Sequence, residues 1–177
     1  MNPNDQSVIA YYEIKAIKQP SSMSCWATVY AMMLSWKNNT TLTLDSAVER
    51  LGNPWKTYFD NDDGLPLGQE RLFVSTAGLR EEPPANYSIQ GFINMLKNYG
   101  PLWIVTGNGI SSHARLMIGI KGDGSYENSK FSFINPQTGK IETQDALDFF
   151  REFELEARFV IDRRLDDIPF RWQIIHW

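Results

Sequence analysis

The sequence has few residues that could form covalent crosslinks or bind metal ions. Its 177 residues include one cysteine, Cys25, and two histidines, His113 and His176. A single cysteine excludes an internal disulfide and a zinc site built from several thiolates, so we expect no metal and no cofactor. The acidic stretch Asp60–Asp63 lacks the later glutamate of a calcium loop and predicts a solvated turn.

The sequence also lacks a strong excess of one charge, long apolar runs and the pattern of a secretory signal. The 17 Lys and Arg residues face 21 Asp and Glu residues, so no basic surface for nucleic acid is expected. No apolar run approaches the roughly 18–20 residues that span a bilayer, which predicts no membrane span. The opening residues, MNPNDQS, do not have the charged-then-apolar layout of a secretory signal.

What is present suits one packed domain. Hydrophobic residues make up 42% of the chain and aromatic residues 13%, enough to build a core in a chain near the usual domain length of about 150 residues. Apolar periodicity predicts helices at 25–36, 44–51, 68–76, 88–98 and 143–152, and strands at 8–17, 102–106, 113–121, 130–134 and 157–161. Residues 53–67 and 107–112 are expected to be loops.

Helices come first and strands later, which predicts an α+β fold. We expect residues 1–177 to form a single domain, with a helical subdomain over about 18–100. It would pack on an antiparallel β subdomain over about 101–162.

Cys25 stands at the predicted start of a strongly patterned helix, just after a polar loop. Ser22 or Ser24 is expected to cap that helix. Unpaired amides and the helix dipole stabilise an anion at such a position, which favours a thiolate over a thiol. The alternative interpretation is a buried structural cysteine.

Three other residues could complete a thiol-dependent site. His113 opens a predicted strand and could serve as general base. Asn135 closes the next strand, where its amide oxygen could accept the second imidazole N–H. Gln19 could direct an amide N–H at an oxyanion. Each also has an ordinary interpretation, as a strand-end histidine, an Asn-Pro turn and a polar loop residue.

The order of these residues resembles the papain-like cysteine peptidases. Gln19-x5-Cys25-Trp26 is similar to the nucleophile region of that family, and His113 and Asn135 are similar to its two later motifs. The short spacing resembles the compact bacterial branch, which includes leader-peptidase domains of bacteriocin exporters and papain-like effectors. The resemblance implies Cys25 as nucleophile, His113 as general base and then acid, Asn135 as the residue that orients His113, and Gln19 as oxyanion donor.

Two features depart from the compact branch or add to it. That branch often has Asp where this chain has Asn135, so no negative charge would stand behind the imidazolium. Arg115 lies two residues after His113 on the same strand face, where its charge could keep Cys25 ionised or bind a substrate carboxylate. Trp26, Ser112 and Arg115 are therefore the predicted substrate-binding residues.

The expected function is that of a cysteine peptidase, as a bacterial effector or toxin domain that cleaves a target protein. Its partners would be a protein or peptide substrate and a cognate immunity or inhibitor protein. The chain would be cytoplasmic, or delivered into a target cell as part of a larger effector. Two alternatives stay open: the same residues could run a deamidase, acyltransferase or cell-wall amidase reaction, or the fold could be a non-catalytic binding scaffold.

Overall fold

The computed structural model describes residues 7–66, 68–107, 112–164 and 173–177 of the chain. Its helices within these ranges are α1 (Cys25–Lys37), α2 (Leu44–Leu51), α3 (Trp55–Asp60), α4 (Glu70–Thr76), α5 (Ile89–Tyr99) and α6 (Ala146–Arg164). Its strands are β1 (Val8–Tyr11), β2 (Arg80–Glu81), β3 (Leu102–Gly107), β4 (Ser112–Lys121), β5 (Lys130–Asn135), β6 (Lys140–Asp145) and β7 (Ile174–His176). The predicted α+β class is confirmed.

The strands form one antiparallel sheet with the spatial order β2-β7-β3-β4-β5-β6. β4 is the organising strand, because it pairs with β3 along its first half and with β5 along its second. β1 pairs with the end of β4 that extends beyond β3. The start of β4, with His113, and the end of β5, with Asn135, therefore lie at the same edge of the sheet.

Two hydrophobic clusters cover the two faces of the sheet. On one face α1 to α4 pack against alternate β4 residues that include Leu116 and Ile118. On the other face α5 and α6 pack around Phe92, whose ring lies edge-on to four other phenylalanines, Phe131, Phe149, Phe150 and Phe153. Because apolar groups are buried on both faces, β4 is a rigid support for the residues at its start.

Several predicted elements differ from the structure. The predicted loop 53–67 contains α3, a short helix anchored by the buried side chain of Trp55. The predicted strand 8–17 ends at Tyr11. The predicted strand 157–161 is wrong: its backbone belongs to α6, which runs from Ala146 to Arg164 without a glycine or proline to end it.

The strand β6 was not predicted. Its residues alternate, but both faces are exposed or only half-buried. The strand therefore lacks the apolar side by which an amphipathic strand is recognised in a sequence. The loop predicted at 107–112 falls largely on residues 108–111, which lie outside the described residues. None of the helices in the described ranges is long and apolar enough to cross a membrane.

Candidate active site

Cys25 is the first residue of α1 and is half-buried. The helix is anchored behind it, since Trp26 to Leu34 are buried without interruption. The predicted cap by Ser22 or Ser24 is wrong: no side chain caps α1, and the Ser24 hydroxyl donates to the Ser21 carbonyl at 3.0 Å. Since no side chain caps the start of α1, the positive end of the helix dipole acts on Cys25. This potential favours a thiolate over a thiol at that position.

Asp62 holds the loop that leads into α1. Its carboxylate accepts the backbone N–H of Met23 at 2.9 Å and the hydroxyl of Ser22 at 3.1 Å. Hydrogen bonds from Ser21 and from the Met23 backbone lower the pKa of Asp62, so it stays ionised at neutral pH. The acidic stretch thus positions the loop that leads into α1, and the described residues contain no cluster of potential metal ligands.

His113 and Asn135 meet at the sheet edge formed by the start of β4 and the end of β5. The imidazole Nε2 lies 2.8 Å from the amide Oδ1, a hydrogen-bond distance between residues 22 positions apart. The same Oδ1 accepts the backbone N–H of Gln137 at 3.0 Å, and Asn135 Nδ2 donates to the Glu142 carboxylate at 3.1 Å. Both ends of the Asn135 amide are therefore held.

Cys25 and His113 line one cleft of about 160 Å³. Trp26 and Ser112, which the sequence analysis placed near substrate, line it as well. Most of its wall is apolar, formed by residues that include Met23, Leu65, Trp103, Val105 and Ile175. A cleft with an apolar wall and a few convergent polar groups is the usual form of a binding site.

Comparison with known proteins decides the family. A family model described as the papain-like cysteine protease AvrRpt2 matches residues 6–154, well over half of the chain. The chain belongs to this family. It is a papain-like cysteine protease of a group of bacterial effector proteases, as the resemblance implied. No individual curated protein matches the chain.

The family match spans Gln19, whose side chain is placed differently from the expectation. The Gln19 backbone N–H donates to the Pro136 carbonyl at 2.8 Å, which ties the loop before α1 to the turn after Asn135. Its side-chain amide donates to the carbonyls of Ser21 at 2.7 Å and Ser22 at 3.1 Å. Gln19 can serve an oxyanion in this AvrRpt2-family protease only if that amide releases one of the two carbonyls.

A close approach at Gly139 supports the contact between the loop before α1 and this turn. Gly139 has φ +67, and a Cβ there would lie 2.7 Å from the Cβ of Lys18 and 3.1 Å from its backbone nitrogen. Only glycine combines that backbone conformation with so close a neighbour. The turn that carries Asn135 and the loop that carries Gln19 are thereby packed together.

Arg115 does not line this cleft and forms a structural network instead. Its guanidinium donates to Gln144 at 3.1 Å and to Glu152 at 3.0 Å, and it lies 4.5 Å from the Phe133 ring centroid. Burial opposes ionisation of Glu152, but the hydrogen bond from Gln144 and the charge of Arg115 outweigh it and lower the pKa of Glu152. The guanidinium therefore links β4, β6 and α6, and the substrate contact expected of Arg115 stays a prediction.

Sequence reasoning missed two acidic residues near the site of this AvrRpt2-family protease. Glu70 at the start of α4 is buried, lines the cleft and accepts the Gly68 N–H at 2.7 Å. Glu142 contacts Asn135 across the β5–β6 hairpin. Glu70 lies in the first turn of a helix that the sequence does predict, at 68–76. Glu142 could be found only from the register of the β5–β6 hairpin.

Proposed function

We propose that this protease cleaves peptide bonds with a triad of Cys25, His113 and Asn135. The observation that supports this most strongly is the 2.8 Å hydrogen bond between His113 Nε2 and Asn135 Oδ1. With Nε2 engaged there, Nδ1 is the ring nitrogen left for proton exchange with Cys25 and substrate. The shared cleft of Cys25 and His113 supports the same assignment.

The reaction would proceed through two acyl transfers. The Cys25 thiolate attacks the scissile carbonyl carbon, and the oxyanion is stabilised by backbone N–H groups at the start of α1, with Gln19 as a second donor once its amide releases one of the two carbonyls that it binds. His113 Nδ1 gives its proton to the leaving amine as the C–N bond breaks, which leaves a thioester on Cys25. His113 then takes a proton from a water molecule, whose oxygen attacks the thioester. The C–S bond breaks, the acid product departs, and the Cys25 thiolate is restored.

The cleft wall supports a substrate with an apolar residue close to the scissile bond. The indoles of Trp26 and Trp103, with Val105 and Ile175, would bury that side chain. Ser112 lies beside His113 in the cleft and would contact the substrate backbone. Because the family is one of bacterial effector proteases, we place the substrate among the proteins of a host cell. A cognate inhibitor in the producing cell would act by covering this cleft.

Incubation of a host proteome with the protein, followed by mapping of new N-termini, tests this function. The matched control is Cys25→Ala, which removes only a half-buried sulfur atom and should leave the fold intact. We expect new N-termini with the wild-type protein and none with the variant. Cleavage by a folded Cys25→Ala variant would contradict the proposal. A deamidation mass shift or a new crosslink without chain cleavage would instead support the deamidase or acyltransferase alternative.

A further inference from the structure

The amide of Asn135 has a defined partner at every side. Oδ1 accepts from the Gln137 backbone N–H at 3.0 Å and lies 2.8 Å from His113 Nε2. Nδ2 lies 3.1 Å from each of the two carboxylate oxygens of Glu142. A backbone N–H can only donate and a carboxylate can only accept, so these two neighbours independently fix which end of the amide faces His113.

Glu142 is itself held in place. It lies on β6 directly opposite Phe133 of β5, which places it diagonally across the hairpin from Asn135. The Thr138 hydroxyl of the connecting turn donates to its Oε1 at 2.9 Å. The side chain is half-buried, so its carboxylate is partly shielded from water, and its charge acts more strongly on its neighbours than a fully exposed one.

We propose that Glu142 is a positioning residue for catalysis, which orients Asn135 and supplies the negative charge that Asn135 lacks. The inference rests on the proposed triad. The Glu142 carboxylate holds Nδ2, Oδ1 then accepts the His113 Nε2–H, and Nδ1 is left to exchange a proton with Cys25. The charge also stabilises the imidazolium through the polarised amide, as an aspartate at position 135 would do directly.

Two substitutions at Glu142 separate its charge from its hydrogen bond. Glu142→Gln keeps an oxygen that can accept from Asn135 Nδ2 but removes the charge. A charge-assisted hydrogen bond is about twice as strong as a neutral one, so we expect about a tenfold slower reaction, equal to about 1.4 kcal/mol. Glu142→Ala removes the acceptor as well and lets the amide rotate, so we expect a loss on the order of a hundredfold, because His113 is no longer held in one tautomer.

A charge swap gives the sharper test. Asn135→Asp alone places two carboxylates at the 3.1 Å contact now made by Nδ2 and Glu142, so we expect it to lower activity about tenfold or more through like-charge repulsion. In the double variant Asn135→Asp with Glu142→Gln, the carboxylate faces His113 and the new amide donates to it. We expect that variant to recover to within about threefold of wild type, a coupling that independent residues do not show.

The readout is the rate of alkylation of Cys25 by iodoacetamide at mildly acidic pH, with the ultraviolet absorbance of the thiolate as a second signal. Cys25 is the single cysteine, so the reaction reports one site and needs no known substrate. Glu127→Gln, at an exposed glutamate before the start of β5 and so at the opposite end of that strand from Asn135, is the matched control and should match wild type. Melting temperatures should vary little across the set.

The outcomes separate the two proposals. Slow alkylation of Glu142→Gln and recovery in the charge-swapped variant support the role of Glu142. Wild-type rates in Glu142→Gln and in Glu142→Ala, or no recovery in the folded double variant, would overturn it while leaving the triad intact. If the wild-type thiol itself reacts as slowly as a free thiol at that pH, the triad fails, and the Glu142 proposal fails with it.

Discussion

Replacement of Arg115 by methionine tests whether this residue serves the fold or the substrate. Methionine keeps an unbranched apolar stem and removes the guanidinium. The ion pair with Glu152, whose side chain is 37% exposed, is screened by solvent and contributes about 1 kcal/mol or less. The hydrogen bond to Gln144 adds about 1–1.5 kcal/mol and the contact with the Phe133 ring about 0.5–1 kcal/mol.

Arg115→Met should therefore lower the free energy of unfolding by about 2–3 kcal/mol. At about 2–4 °C per kcal/mol for a chain of this length, the melting temperature should fall by about 5–10 °C. Urea unfolding followed by tryptophan fluorescence measures the loss. Below the unfolding transition, Cys25 alkylation should stay within about twofold of wild type, because the guanidinium does not line the cleft. Unchanged stability with a raised KM would refute this reasoning and restore a substrate role.

Three further changes have defined outcomes. Phe92→Ala should cost about 3–5 kcal/mol in urea unfolding, because it empties the centre of an aromatic cluster; wild-type stability would contradict that core. Gly139→Ala should strain the turn by about 1–3 kcal/mol and slow Cys25 alkylation, since a Cβ would meet Lys18. Because the pKa of Glu152 is lowered in the folded protein, its ionised carboxylate stabilises the fold at pH values above the pKa that this group has in the unfolded chain. That stabilisation is lost as the pH falls through the lower pKa of the folded protein. In urea titrations at decreasing pH, the free energy of unfolding should therefore fall less steeply for Glu152→Gln than for wild type. Identical slopes would argue against the network.

Local patterns were enough to predict the helices that carry a clear apolar face. The bounds of α2 agree with the structure and those of α5 lie within one residue of it, because helical periodicity depends on neighbours in sequence. β6 was missed because neither of its faces is fully buried. The end of α6 was misplaced because a short apolar run has the same appearance in a helix and in a strand.

The residues of the candidate site also fall into those that local signals predict and those that depend on non-local packing. Cys25, His113 and Asn135 stand at the starts and ends of elements, so their positions could be inferred from local signals and their order along the chain. Glu142 could not, because its contact with Asn135 depends on the register of a hairpin. The alternation of strand residues placed Arg115 on the same face as His113, but packing of α6 supplies its partner Glu152. Non-local packing overrides a local pattern in such cases.

The proposed mechanism depends most on the activation of Cys25 by His113. Alkylation of the single cysteine at mildly acidic pH, compared between wild type and His113→Ala, measures that dependence directly. We predict rapid alkylation of the wild-type protein and a rate at least about tenfold lower in the variant, because the thiolate loses the imidazolium that stabilises it. Equal rates in the two folded proteins would show that the sulfur and the imidazole do not act together, and would contradict the proposed mechanism.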